Sequence, residues 1–242
     1  MTLSDFRRVL VTGASTGIGK ATAIAFAKAG FEVAIVSRSE PKLSALADEL
    51  TAIGASEVGV FPIDLSILTK VKPGVEQIID TFGPVDVLVN NAGMGYTGSL
   101  SEMSLEDWQQ VINLNLTSVF QCIQAVLPSM RARPTGRIIN IASIAARQAF
   151  PDWGAYGVSK AALLALSQAV SVEEKSHGIQ VTTILPGAVN TPLWDTETVQ
   201  ADFDRSGMLT PEMVAKSILH TALLPPEAVI EELTLMPSGG AL

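Results

Sequence analysis

Arg8-Val-Leu-Val-Thr12 runs directly into Gly13-Ala-Ser-Thr-Gly-Ile-Gly19-Lys20, and a segment from Ala21 to Ala29, closed by Gly30, follows. The first five residues are mostly apolar and rich in β-branched side chains, as a buried strand requires, and the last segment is helical in composition. The order is therefore strand, glycine turn, helix. Glycines let a backbone turn sharply and approach a pyrophosphate, whose charge is stabilised by the free N–H groups and positive dipole end of the following helix. The spacing Gly-x-x-x-Gly-x-Gly differs from the commoner Gly-x-Gly-x-x-Gly, and glycine turns also close β-α units that hold no ligand. Three glycines in seven residues, with Ser15, Thr16 and Ile18 between them, favour the phosphate-binding reading.

A dinucleotide site reads its ribose about twenty residues beyond such a turn. The strand Phe31–Ser37 ends there, and Ser37-Arg38-Ser39 stands where an aspartate would accept the 2′-hydroxyl of NAD. A guanidinium flanked by two hydroxyls suits the 2′-phosphate of NADP instead. Next come a helix over 41–54, a strand over 57–63 ending at Asp64-Leu65, a helix over 70–82 and a strand over 85–90. Strands alternating with helices at this spacing predict an α/β fold: one Rossmann-like, doubly wound parallel sheet of about seven strands with helices on both faces. No repeat or linker divides the chain, so residues 1–242 read as a single domain.

Composition narrows the function. A net charge of −8 with no basic cluster argues against nucleic-acid binding. A 48% hydrophobic, 17% charged chain has much surface to bury, some of it between subunits. The one cysteine, Cys122, permits no internal disulfide and fits a core thiol in a reducing, cytoplasmic setting. The amino-terminal residues lack the apolar core of a signal peptide. The uncharged run from Trp108 to Met130 could span a bilayer by length, but nine Gln, Asn, Ser and Thr side chains are scattered through it. Their transfer into hydrocarbon is costly, so it reads as a protein-buried helix within 104–131, and no membrane partner is expected. His177 and His220 lie far apart without companion ligands, so no metal is expected.

The chemistry sits in the second half. Asn90-Asn91-Ala92-Gly93 is a turn-rich loop at the carboxyl end of a strand, and the long helix carries Asn115 in its interior. Arg137 to Ser143 reads as a buried strand that delivers Ser143 to its carboxyl end, where ligands bind in open α/β sheets. Tyr156-Gly-Val-Ser-Lys160 begins the next helix, and residues four apart share a helix face. A nearby ammonium is expected to pull the tyrosine pKa down from about 10, so that the pair can pass a proton to or from an alcohol. A strand over 178–185 then leads to Pro186-Gly187 and Thr191. Residues 193–210 are mixed and read as a substrate lid, followed by a helix from Pro211 and a last strand near 231–236.

With these residues in order, the chain resembles the short-chain dehydrogenase/reductase family over essentially its whole length. The carriers are Thr12–Gly19, Asn90–Gly93, Asn115, Ser143 thirteen positions before Tyr156, Lys160, and Pro186-Gly187. The resemblance implies roles. Tyr156 would be the general acid or base; Lys160 would lower its pKa and hold the nicotinamide ribose; Ser143 would bind the substrate oxygen; Asn115 would anchor a water in a proton relay. Gly13, Ser15, Gly17, Ile18 and Gly19 would surround the pyrophosphate, with Asp64 and Leu65 at the adenine. Asn90, Asn91 and Ala92 would lie at the adenosine ribose, and Pro186, Gly187 and Thr191 at the nicotinamide. The family also implies a dimer or tetramer. The expected activity is NADP(H)-dependent interconversion of a small-molecule carbonyl and a secondary alcohol. One alternative is a 3-oxoacyl carrier-protein reductase, for which Arg131, Arg133, Arg137 and Arg147 could form a docking patch. The other is a cofactor-sensing regulator without turnover. The ending Pro225-Pro-Glu-Ala-Val-Ile-Glu-Glu-Leu-Thr-Leu-Met-Pro237 looks more like the broad carbonyl and hydroxy-acid reductases than the carrier-protein branch.

Overall fold

A computed structural model describes residues 8–201 and 204–240. The amino-terminal residues read above for a leader, and Asp202 and Phe203 of the expected lid, lie outside them. The glycine turn joins β1 (Arg8–Thr12) to α1 (Gly17–Lys28), and the alternation continues through β2 (Glu32–Ser37), α2 (Glu40–Ala52), β3 (Val58–Pro62), α3 (Leu68–Phe82) and β4 (Val87–Asn90). The second half holds α4 (Leu105–Ile112), α5 (Ser118–Ala132), β5 (Gly136–Ile141), α6 (Gly154–Glu174), β6 (Ile179–Pro186), α7 (Pro211–Ala222) and β7 (Glu232–Leu235).

All seven strands are parallel, in the order β3-β2-β1-β4-β5-β6-β7. The order reverses between β1 and β4. A crevice opens there at the strands' carboxyl ends, which is where such sheets bind ligands. Alternate strand residues feed two cores. Leu10, Ala34 and Leu88 pack with Ile78 of α3, Ile123 of α5 and Leu163 of α6 on one face. Val11, Ile35 and Val89 pack with Phe26 of α1, Leu43 of α2 and Ile218 of α7 on the other. This is the doubly wound fold the alternation predicts.

Residues 105–132 are long and apolar enough to cross a membrane by length and composition. In the fold, Val119, Cys122, Ile123, Val126 and Met130 of α5 are buried in the core that covers the sheet. The long helix predicted over 104–131 is continuous but not uniform: a π-helical turn at Asn113–Thr117 joins α4 to α5. Composition gave no sign of it, because one inserted residue leaves the apolar pattern nearly intact. Such turns concentrate at functional sites.

The four arginines read as a docking patch are otherwise engaged. Arg131 pairs with Glu174, Arg133 with Asp86 and Arg147 with Glu232. Arg137 is buried at the start of β5 and donates to the Thr221 carbonyl at 2.7 Å and to that of Leu224, satisfying acceptors where α7 ends. Replacing it with methionine keeps bulk but orphans those carbonyls. Arg137→Met is expected to lower unfolding stability by about 2–3 kcal/mol in chemical denaturation, as hydrogen bonds to a charged donor are worth about 1.5–3.

Candidate active site

Thr12 is the last residue of β1, and its hydroxyl ties the crevice together. It accepts from the Asn91 and Ala92 N–H groups at 3.0 and 3.1 Å and donates to the Val89 carbonyl at 3.3 Å. Asn91 answers with its side-chain amide, which donates to the Thr12 and Gly13 carbonyls at 3.0 and 3.2 Å. The loops after β1 and β4 are thus locked edge to edge. The fit demands glycine at 19, where a Cβ would lie 2.2 Å from the Gly13 carbonyl oxygen. Gly13 itself has φ 65° and could not carry a Cβ without meeting the Ala92 backbone at 2.9 Å.

The helix that leaves this turn is bare. Its N-cap, Thr16, makes no side-chain cap and no acid occupies the first turn. A helix end with free N–H groups and nothing anionic nearby suits a phosphate, and Gly13, Ser15, Thr16, Gly17 and Ile18 line the cleft in front of it. Gly19 is buried behind that wall and shapes it.

At the end of β2, Ser37, Arg38 and Ser39 line the same cleft, with Asp64 and Leu65 of the loop after β3. Arg38 is exposed and takes part in none of the ion pairs among the described residues. Asp64 accepts from the Ser66 N–H and hydroxyl at 2.9 and 2.7 Å. Burial pushes the Asp64 carboxyl up, but those bonds and the Arg38 and Lys70 cations outweigh it and hold it below its ordinary value. Lys42, one turn beyond Arg38, also lines this end and was missed in the sequence, where it reads as an exposed helix lysine.

The π-helical turn sets Asn115 fully inside the protein, where its side chain accepts from Met94 N–H at 2.8 Å and donates to the Met94 carbonyl and the Ser159 hydroxyl, both at 3.0 Å. Ser159 in turn donates to the Tyr156 carbonyl at 2.7 Å. Asn115 therefore braces the first turn of α6 against the loop after β4 from behind the cleft wall. Lys160 is 5% exposed, and its ammonium donates to the Ile141 carbonyl at 2.8 Å. Burial lowers it to about 8. It sits 5.7 Å from the Tyr156 ring centre.

The tyrosine departs from the sequence expectation. Loss of water raises the Tyr156 pKa, and a hydrogen bond with Ser143 only partly counters this. The Lys160 ammonium lies over the tyrosine ring and is bonded to the Ile141 carbonyl. The sequence supplied the helix spacing but not the depth, and depth decides the sign. Ser143, two residues past β5, also accepts from Ala145 N–H at 3.1 Å, which fixes its hydroxyl beside the tyrosine.

The cleft measures about 860 Å³ and also takes in Ala92, Gly93, Pro186, Gly187 and Thr191. Asn90 does not line it. That side chain is buried and donates to Asn140 at 2.8 Å, which donates to Ser167 at 2.8 Å, a network that stiffens the ends of β4 and β5. The expected lid begins as a short 3-10 turn at Pro192–Asp195. It is tied to the loop after β4 through Thr97 N–H to the Thr198 carbonyl at 2.9 Å and the Thr198 hydroxyl to the Gly95 carbonyl at 2.7 Å. Val199 and Leu209 are buried anchors within a stretch whose sequence shows no core pattern.

The short chain dehydrogenase profile matches residues 7–202. A 3-oxoacyl-[acyl-carrier-protein] reductase from Synechocystis is 37% identical over 248 residues, covering 99% of this chain and 98% of its own. An alcohol dehydrogenase from the archaeon Thermococcus sibiricus, solved with 5-hydroxy-NADP, superposes with a TM-score of 0.88 at 31% identity and covers 97% of both chains. A metagenomic short-chain oxidoreductase solved with NADP gives 0.84 at 30% identity, covering 96% of this chain and 97% of its own.

The chain belongs to the short-chain dehydrogenase family. The family's serine, tyrosine and lysine, expected from sequence at 143, 156 and 160, meet at one cleft here, and its asparagine supports them from behind. The buried Lys160 has a thermodynamic signature in the protein without cofactor. Because burial depresses its pKa, the unfolded chain binds the extra proton between about pH 8 and 10.5, and this group's contribution to stability rises with pH across that window. Lys160→Met should therefore raise the thermal midpoint at pH 7 while abolishing turnover, and the gain should shrink toward pH 10 in a calorimetric pH series.

Proposed function

We propose that this protein is an NADP(H)-dependent oxidoreductase that interconverts a carbonyl and a secondary alcohol, with Tyr156 as general acid and base. The observation that carries the reading is the shape of one continuous cleft: a bare helix N-terminus and Arg38 at one end, and Ser143, Tyr156 and Lys160 at the other. The first end fits a dinucleotide with a 2′-phosphate, with Ser37, Ser39 and Lys42 beside the arginine. NADP(H), when bound, supplies or accepts the hydride.

In reduction, Ser143 donates a hydrogen bond to the substrate oxygen, and Tyr156 delivers its proton as negative charge develops there. The raised tyrosine pKa keeps the hydroxyl protonated for that role. The Lys160 cation then stabilises the phenolate left behind, and its remaining N–H groups would hold the nicotinamide ribose of the bound cofactor. A water held at Asn115 would return a proton from solvent. The Asn115 amide is already bonded to Met94 and Ser159, which makes the residue first a brace for the machinery.

The fatty-acid alternative is favoured by the Synechocystis relative. The paired or buried state of Arg131, Arg133, Arg137 and Arg147 weighs against it, since none offers free charge to an acidic carrier. A regulator without turnover would have no use for the intact catalytic set. Cys122 is buried with its thiol pushed up to about 12, in keeping with an inert core cysteine and a cytoplasmic setting. A homo-oligomer is supported by Phe120 of α5 and Val158 of α6, apolar side chains 42% and 45% exposed on one chain.

Initial rates of NADPH and NADH oxidation against ketones and a 3-oxoacyl thioester test the reading. Tyr156→Phe should lower kcat by about three orders of magnitude while NADPH binding is kept, in line with the loss of a positioned general acid. Arg38→Ala should weaken NADPH about 10- to 100-fold and leave NADH unchanged, one charge-assisted phosphate contact being worth about 1.5–3 kcal/mol. Retention of full activity by Tyr156→Phe would refute the mechanism.

A further inference from the structure

Aromatic residues make up only 5% of the chain, with three tryptophans and two tyrosines. Two of those tryptophans and the catalytic tyrosine form one row. Trp153 packs edge-on against Tyr156 with ring centres 5.2 Å apart, and against Trp194 of the lid at 5.5 Å. The row is held rigidly. Asp152 has φ 64°, an uncommon left-handed turn for a residue with a side chain, and its carbonyl accepts from Gly98 N–H at 2.8 Å, which fixes Trp153 at the start of α6. Trp194 donates its indole N–H to the Val189 carbonyl at 2.8 Å. Gly95 leaves the room: a Cβ there would meet Val199 at 2.7 Å and Leu193 at 3.0 Å, with the Trp153 ring at 3.4 Å.

Charge around the row is one-sided. Of the charged residues lining the cleft, Arg38, Lys42 and Asp64 stand at the ends of β2 and β3, and Lys160 lies beneath Tyr156. Among the described residues the lid lines the cleft with two charged side chains, Asp195 and Glu197, both exposed, and Asp195 is paired with Arg205 at 2.7 Å. Among the described residues, an anionic substrate would find the neutralised Asp195–Arg205 pair, the Glu197 carboxylate in no ion pair, and no free cation above Lys160. A flat ring finds tryptophan faces and edges, and a cation finds both those π-systems and the Glu197 carboxylate.

We infer that the substrate half of the cleft is built for aryl ketones that are neutral or positively charged, and that it discriminates against carboxylates and carrier- or coenzyme-bound thioesters. The inference rests on the reading that this cleft reduces carbonyls, and names the substrate class for it. Trp153 and Trp194 determine the preference for a ring, and Glu197 the preference for charge.

The test is calorimetric binding to the NADPH-loaded Tyr156→Phe protein, where ligands bind without turnover. The probes are acetophenone, its para-carboxylate, its para-trimethylammonium analogue, and cyclohexyl methyl ketone as the saturated match. The trimethylammonium ketone should bind at least as tightly as acetophenone, and the carboxylate at least tenfold more weakly. The saturated ketone should also be weaker than acetophenone. Trp153→Leu and, as a milder change in the lid, Trp194→Leu should each erase the preference for the aromatic ring while NADPH binding shows that the fold is kept. Glu197→Lys should narrow the carboxylate's deficit. Equal or tighter binding of the carboxylate, or an unchanged ring preference in both tryptophan variants, would overturn the inference. Turnover by the wild-type protein separates the two readings. Ligands that bind in the expected order but are never reduced would sink the proposed reaction and leave the cleft's preference standing. Efficient reduction of the carboxylate or of a 3-oxoacyl thioester would do the reverse.

Discussion

The hydroxyl of Thr12 holds two loops that the rest of the site is built on. In a doubly wound sheet the connections after β1 and β4 leave in opposite directions, so a crevice opens between their strands by topology alone. Left untied, two such loops would present a wide and mobile gap. Thr12 closes it with three hydrogen bonds and Asn91 with two more, all between residues about eighty positions apart in sequence. The lock brings the Gly13 and Ala92 backbones so close that a Cβ is excluded at positions 13 and 19. Glycine here is a consequence of that approach, and the bare end of α1 is aimed into the crevice because of it.

The second constraint is a buried cation. Lys160 is anchored by the Ile141 carbonyl beneath the Tyr156 ring at the floor of the cleft, and burial lowers its pKa because an ammonium is kept from water. A core built only for stability would carry an apolar side chain at that position. The fold tolerates the cation because α6 is fastened on both sides, by Leu163 in the core and by the chain of bonds from Asn115 through Ser159 to the Tyr156 carbonyl. The π-helical turn at Asn113–Thr117 belongs to the same bargain, since it is what sets the Asn115 amide against Met94 and Ser159. Stability is conceded at a few residues so that an ammonium can be held beside a buried tyrosine.

Much of this is legible in the sequence because it rests on local rules. Strand and helix composition, glycine spacing and the i,i+4 relation between Tyr156 and Lys160 are short-range signals, and each element falls within a few residues of its expected place. What was not legible depends on depth and on distant partners. Tyr156 moves toward a higher pKa because of how far α6 sinks, and Asn90 turns into a buried network because Asn140 and Ser167 receive it. Arg137 reads as a surface arginine until the end of α7 arrives over it. Trp153 lies three residues before Tyr156, on the same helix face, so its closeness to the site could have been noticed; its meeting with Trp194 could not.

The two ends of the cleft also differ in how they are held. The end with Arg38 and the glycine turn stands on strand termini and a helix start, which the sheet fixes. The other end is closed by a segment that reaches across from β6 and touches down on the loop after β4 at Thr97, Thr198 and Gly95. Those contacts are few, and the Thr97 and Thr198 hydroxyls carry most of them, so they fix where the segment lands through two side chains at the landing point. Asp195 and Glu197 stand exposed at this end, whereas Trp194 reaches Tyr156 through Trp153, so the lid is bound to the sheet-borne half of the cleft at that one row of rings. One half of the cleft is thus carried by the sheet and the other by a loop, and the two are held by different kinds of contact.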